Sequence, residues 1–316
     1  MADDQRYRRR QLVGAEMLRE TQTLAQRLWD GPGRWHPGEL AFFQRQFAVP
    51  PPDRPMALWS DADGRTVAWA WKKPSAALDL QVDPQELAVL EPLLDWFDEV
   101  SGVGGAGAVR SVTVLDAETE LVEALSARGF RRRDEGRPFF VHLRLDLAEL
   151  PDPPPLPAGY LAGPASVTAS GTADDTAARA RAHRAAFPAA SGFTGADYRR
   201  ITASWPYRPE TDWRVTAADG STAAFALAWY DEVTRTAVLE PVGTVPGHRR
   251  LGLARAAMLG ALRAARRLGA RTARVCARGD AAAPAASATY ASLGFRPFAR
   301  NIELVDVSRP AGGRAV

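Results

Sequence analysis

The chain is 316 residues long, enough for two domains that each bury a core. Apolar residues make up 46% and charged residues 24%, which excludes wholesale disorder and collagen-like or coiled-coil architecture. Forty Lys and Arg against 37 Asp and Glu leave a net charge of +3, and that even balance gives no reason to expect a nucleic-acid partner.

A single cysteine, Cys276, cannot form an internal disulfide, and no His/Cys spacing suggests a metal site. The first ten residues are charged and lack the apolar stretch of a signal peptide. No later run is long and apolar enough to span a bilayer. A cytoplasmic protein, without membrane partner and monomeric or homodimeric, is the expectation.

In chain order, an amphipathic segment at 21–29 predicts an early helix, and 57–71 predicts a β-hairpin: two alternating apolar runs about Asp63-Gly64. A strand at 80–84, a long helical pattern, a strand at 109–115 and a second helix ending in Gly129-Phe130 follow. The stretch 150–157 reads LPDPPPLP, which removes backbone donors and holds the chain extended, so the domain boundary is placed there, giving 1–150 and 151–316.

The second part repeats the order. A helix is expected at 176–186, a hairpin at 213–229 about Asp219-Gly220, a strand at 238–246, a helix at 256–268, a strand at 273–277 and a second helix ending in Gly294-Phe295. From Asp-Gly to Gly-Phe the glycines lie 65 residues apart in the first half and 74 in the second, so the halves differ mainly in loop length. A duplicated α+β fold around a mixed sheet is the economical expectation.

The junction Val242-Gly243-Thr244-Val245-Pro246-Gly247-His248-Arg249-Arg250-Leu251-Gly252-Leu253-Ala254-Arg255 joins a predicted strand to a predicted helix. Small residues Gly252 and Ala254 let backbone amides approach a ligand. The helix start supplies unpaired N–H groups, and Arg249, Arg250 and Arg255 add positive charge, which suits a pyrophosphate. A solvated basic loop is the alternative reading of Arg249-Arg250.

This string resembles motif A of the GNAT superfamily of acyl-CoA N-acyltransferases, Arg/Gln-x-x-Gly-x-Gly/Ala, with Arg249, Gly252 and Ala254 in the matching positions. The run Ala286 to Phe295 is similar to that family's motif B helix, and Tyr290 stands four residues before Gly294. The resemblance is strong over 160–307 and weak over 11–147. It implies two tandem GNAT-like domains, an arrangement also found in mycothiol synthase. It further implies acetyl-CoA as cofactor, held by Val242, Gly243, Thr244, Arg249, Arg250, Leu251, Gly252, Leu253, Ala254 and Arg255, and Tyr290 as the acid that protonates the departing thiolate. Without the resemblance, the favoured reading of Tyr290 is an amphipathic-helix residue packed on the sheet. Where the family often has asparagine seven residues before that tyrosine, this chain has Ala283.

In the first half, Leu87, Leu90 and Pro92 stand where Arg249, Gly252 and Ala254 stand, and Leu125 replaces the tyrosine. Bulk, a missing N–H and the acids Asp83, Glu86 and Glu91 all oppose pyrophosphate binding, so this half is expected to be a degenerate copy.

Amine acylation needs a neutral amine, a polarised carbonyl and a proton donor. Glu240 is the candidate base, with a structural ion pair as the alternative. His183 reads as a surface or interhelix histidine, His248 as positive charge near the cofactor, and Cys276 as a core thiol. Asp231 and Glu232 suit an exposed hairpin turn. Phe187, Phe193, Tyr198, Trp205, Tyr207, Trp213 and Trp229 are divided between core and acceptor pocket. The expected activity is acetyl transfer to a primary amine of a small molecule. A peptide or protein N-acetyltransferase and a non-catalytic CoA-binding regulator or scaffold remain alternatives.

Overall fold

The computed structural model describes residues 6–30, 33–46, 54–74, 77–101, 110–133, 138–165, 173–188, 192–280 and 284–308. The chain forms two compact units, each assembled from separated stretches: Met1–His36, Val49–Phe140 and Ala299–Val316 in the first, Pro37–Ala48 and Val141–Phe298 in the second. The division is therefore not the single cut at residue 150 that the proline-rich stretch suggests. The reason is strand pairing, which hands the last strand of each sequence half to the other unit's sheet.

In the first unit the strands are β1 (Arg8–Arg10), β2 (Met56–Ser60), β3 (Thr66–Lys72), β4 (Ala77–Val82), β5 (Ser111–Leu115) and β6 (Phe130–Arg132). They stand in the order β1, β2, β3, β4, β5 and then the end of β13 (Arg296–Asp306), whose residues 301–305 pair antiparallel with β5. Strand β6 also pairs with β13. The hairpin β2–β3 is as expected: Asp61 accepts hydrogen bonds from the amides of Asp63 and Arg65, and Gly64 takes φ 79°, which glycine adopts without a Cβ penalty. Helices α1 (Gly14–Arg27), α3 (Leu90–Ser101) and α4 (Thr119–Ala127) belong to this unit. Its core gathers Trp59, Trp96, Phe97, Leu90, Leu125 and Phe130.

The second unit holds α2 (Pro37–Arg45), β7 (Phe140–Asp146), β8 (Leu161–Pro164), α5 (Ala173–Ala186), α6 (Gly195–Thr202), β9 (Asp212–Thr216), β10 (Thr222–Asp231), β11 (Thr236–Thr244), α7 (Leu253–Leu268), β12 (Thr272–Arg278) and α8 (Pro284–Ala291). Its sheet runs β8, β9, β10, β11, β12, β7. Strand β10 is buried along its whole length, and its alanine-rich, aromatic run of apolar residues suits a central strand covered on both faces. Helix α7 lays its alanine-rich face on this sheet so closely that a Cβ on Gly260 would lie 2.1 Å from the Trp213 ring.

Strand β11 is irregular in two ways. Ala226 pairs with Val242 and Ala228 with Leu239, so Glu240 and Pro241 face Leu227 alone and form a bulge. Parallel pairing of β11 with β12 covers only 236–239 with 272–275, and beyond Leu239 the two strands no longer pair.

Candidate active site

Where β11 and β12 part, the edge of Val242 to Thr244 has no strand partner on the β12 side among the described residues, while on the other side these residues pair with Ala224 to Ala226. The chain then makes a 3₁₀ turn at Pro246–His248 and enters α7 through Arg250 at φ 67° and Gly252 at φ 73°. The first helical bond runs from the Ala256 amide to the Gly252 carbonyl, so the amides of Leu253, Ala254 and Arg255 have no intrahelical acceptor. Nothing lies within 4 Å of a Cβ built on Gly252, so glycine is required there by backbone conformation and the space above it is open.

This turn forms one wall of a cavity of about 630 Å³. Val242, Gly243, Thr244, Arg249, Arg250, Gly252, Leu253, Ala254 and Arg255 all line it, together with His248 and Tyr290, and no carboxylate is among its lining residues. Leu251 is not on the wall and is 41% exposed. Basic side chains, helix-start amides without intrahelical acceptors and a lining without acids are the chemistry that suits an anion.

Tyr290, near the end of α8, is buried, and its hydroxyl has no hydrogen-bond partner among the described residues. Burial, with the charges of Glu240 and Cys276, raises its pKa well above the ordinary tyrosine value, so it stays protonated. Glu240 is half-buried on the bulge and is not on the cavity wall. Burial first, then the charge of Glu39 on α2, pushes its carboxyl up to about 8. The Trp229 indole N–H donates to the Glu240 carbonyl at 2.6 Å, and Gly38 of α2 is seated against that indole, where a Cβ would come within 2.1 Å. Nothing in the sequence points to α2 as part of this site, since Glu39 and Glu240 are separated by some 200 positions.

The other candidates divide. His183 is buried against Phe42, Phe187, Phe193 and Phe225, with its pKa lowered to about 3 by burial and then by Arg179 and Arg184. It is a neutral core histidine rather than a surface one. His248 accepts or donates through Nδ1 to the Tyr160 hydroxyl at 2.9 Å. Cys276 is half-buried, one residue past the last β11–β12 pair, with Sγ 3.6 Å from Nε2 of His142, a partner with no signal in the sequence.

Asp231 is fully buried rather than exposed, because it accepts from the amides of Val233 and Thr234 and from the Thr234 hydroxyl within its own turn. Glu232 is exposed beside Arg208. Of the aromatics, Phe193, Tyr198 and Trp229 are buried, whereas Phe187 reaches the cavity wall. Tyr198 and Tyr207 both donate to Asp212. Arg179 stacks 3.6 Å from the Phe225 ring, its Nε and one Nη without a partner among the described residues. Ala283 lies outside the described residues.

The matching turn of the first unit is filled by its own chain. Parallel pairing of β4 and β5 likewise stops early, at Asp79 and Thr113. There Arg34 donates to the Thr113 carbonyl and to Asp79, and the Trp35 indole donates to the Leu80 carbonyl. Leu90, at the start of α3, is fully buried in the core. Asp83 is taken by the Gln85 amide and Arg27, and Glu86 by Tyr7 and Arg6.

A split parallel sheet, a glycine-containing helix start and a buried tyrosine thus share one cavity. Residues 180–295 match the model of the Acetyltransferase (GNAT) family, a stretch that contains the turn, α7, Tyr290 and Phe295. That segment is similar to the GNAT acetyltransferases, a family whose acyl donor is acetyl-CoA.

A GCN5-related N-acetyltransferase from Sphaerobacter thermophilus is similar in structure over 98% of this chain and 98% of its own, at 18% identity and a TM-score of 0.61. A tandem GNAT protein from the clavulanic acid biosynthesis pathway is similar over 97% of this chain and all of its own, at 17% identity and a TM-score of 0.65. A GNAT family acetyltransferase from Colwellia psychrerythraea is similar over 95% and 99%, at 14% identity and a TM-score of 0.61. No curated protein matches the chain in sequence. The fold is thus two GNAT-like domains in tandem.

Proposed function

We propose that the second unit transfers an acetyl group from acetyl-CoA to a primary amine of a small molecule, and that the first unit is a degenerate, non-catalytic copy. The observation that carries the reading is Tyr290: a buried, protonated side chain on the same cavity as the phosphate-type turn, its hydroxyl without a partner among the described residues. Acetyl-CoA supplies an activated thioester carbonyl and a thiol leaving group. The residues present fit such a donor. Amides of Leu253, Ala254 and Arg255 with the side chains of His248, Arg249 and Arg250 suit its phosphates, and the unpaired edge of Val242 to Thr244 suits its amide-bearing arm.

Tyr290 holds a proton through neutral pH, as an acid for a departing thiolate must. Glu240, with a carboxyl near neutrality, accepts a proton from an ammonium acceptor when ionised. The bulge and the Trp229 bond hold Glu240 at the point where the strands part. Among the described residues no helix is long and apolar enough to cross a membrane, which suits an acceptor taken from solution.

The test is thiol release from acetyl-CoA against a panel of amines and peptides. Turnover with a small amine, lost in Tyr290→Phe, supports the reading. Binding of acetyl-CoA with no turnover on any acceptor would leave only a cofactor-binding protein, and turnover confined to peptide N-termini would reassign the acceptor class.

A further inference from the structure

His248 lines the cavity at the end of the 3₁₀ turn, where its backbone is fixed by the bond from its amide to the Val245 carbonyl. Its Nδ1 lies 2.9 Å from the Tyr160 hydroxyl, and the two rings meet edge to face at 5.8 Å and 88°. Tyr160 comes just before β8, is half-buried, packs on the core of the second unit and bonds through its amide to the Pro157 carbonyl. The phenol is thus held by its own packing and brings a fixed hydroxyl to one nitrogen of a ring whose other nitrogen is committed to nothing else in the described structure.

A neutral imidazole carries one donor and one acceptor, and a partner on one nitrogen decides the role of the other. If the phenol donates to Nδ1, the proton sits on Nε2 and that nitrogen is a donor. The reverse tautomer would turn a lone pair toward a cavity whose remaining lining is built for an anion. The charged groups around the ring are Arg249 and Arg250 on its own turn, Arg255 on α7, and Asp219 in the β9–β10 turn, which is electrostatically coupled to it. Arg249 and Arg250 are exposed on long side chains, so each loses rotamer freedom on binding, whereas His248 is short and already held.

We propose that Tyr160 is a positioning residue for the cofactor: by donating to Nδ1 of His248 it fixes the imidazole as an Nε2–H donor to a phosphate of acetyl-CoA. This rests on the acetyl-CoA reading of the cavity, and deepens it by assigning a phosphate-selective donor outside the arginines.

The experiment is calorimetric titration of acetyl-CoA into the full chain and into Tyr160→Phe, His248→Ala and the double variant, with melting curves to establish folding. Phenylalanine keeps the ring packing. Tyr160→Phe is expected to raise Kd roughly five-fold and His248→Ala roughly ten-fold, the scale of one hydrogen bond to a charged group. The double variant should be no weaker than His248→Ala, because the two act through one contact. With S-acetylpantetheine, a donor without phosphates, the KM of Tyr160→Phe should equal that of the wild type. Unchanged Kd in Tyr160→Phe, additive losses in the double variant, or an equal loss with the phosphate-free donor would each overturn the proposal while leaving the acetyl-CoA reading intact. A folded wild type that binds no acetyl-CoA would overturn that reading instead.

Discussion

Glu240 shows how a single residue acquires chemistry from its surroundings. A carboxyl on a regular exposed strand would ionise well below neutrality, whereas burial and the charge of Glu39 push this one up to about 8. Acting as a base it works only when ionised, so kcat should climb as pH rises through about 8 and level off above it. Glu240→Gln should remove that limb and lower kcat by roughly 10²-fold, which a pH series of initial rates checks. Stability runs the other way. The folded carboxyl binds its proton more tightly than the unfolded one, so its contribution is full below the unfolded pKa and is lost as pH rises through about 8. The drop in Tm between pH 5 and 8 should therefore be shallower in Glu240→Gln than in the wild type. Tyr290→Phe, by contrast, should leave the Kd for acetyl-CoA unchanged and reduce kcat by about 10²-fold or more, a split that calorimetry and steady-state rates resolve together.

At the level of elements, the exchange of end strands carries the larger consequence. Residues 299–306 supply a neighbour to β5 and β6 in the first unit, and β7 extends the sheet of the second beside β12. A chain cut at 150 would strip a strand from each sheet and leave unpaired, apolar edges. The fragments 1–150 and 151–316 made separately should show no cooperative melt by circular dichroism, and two independent, native-like transitions would refute this. The start of α7 gives a second test on the same scale. Gly252 takes a left-handed conformation over open space, so Gly252→Trp should place its ring in the cavity and abolish calorimetric acetyl-CoA binding, with a backbone cost of about 1–2 kcal/mol.

Across the whole molecule, the two units keep the same strand divergence and use it differently. In the second it opens on a cavity lined by basic groups; in the first, Arg34 and Trp35 take the carbonyls of Thr113 and Leu80, and Leu90 fills the helix start. Titration should therefore give one acetyl-CoA per chain, and a second site of comparable affinity would contradict the assignment of the first unit as closed. The repeat order, both hairpins, the turn from Val242 to Arg255 and the tyrosine of α8 were legible in the sequence. Each depends on residues close together in the chain: Asp-Gly for the turn, small residues for the helix start, apolar periodicity for the helices. The burial of His183 and Asp231 was not legible, because Phe225 and Phe42 come to the one from afar and the other is enclosed by its own turn.

The amino-acid sequence alone determined that this protein is a duplicated α+β chain whose two matching turns differ, small residues at Gly252 and Ala254 against Leu90 and Pro92, since those properties live in local backbone preference and side-chain size. Tertiary structure alone decided which strand completes which sheet, that α2 brings Glu39 to Glu240, and that Tyr160 meets His248 across 88 positions. Strand edges and buried polar partners are chosen by hydrogen bonding and desolvation between distant segments, and those forces leave no spacing in the chain from which they can be read.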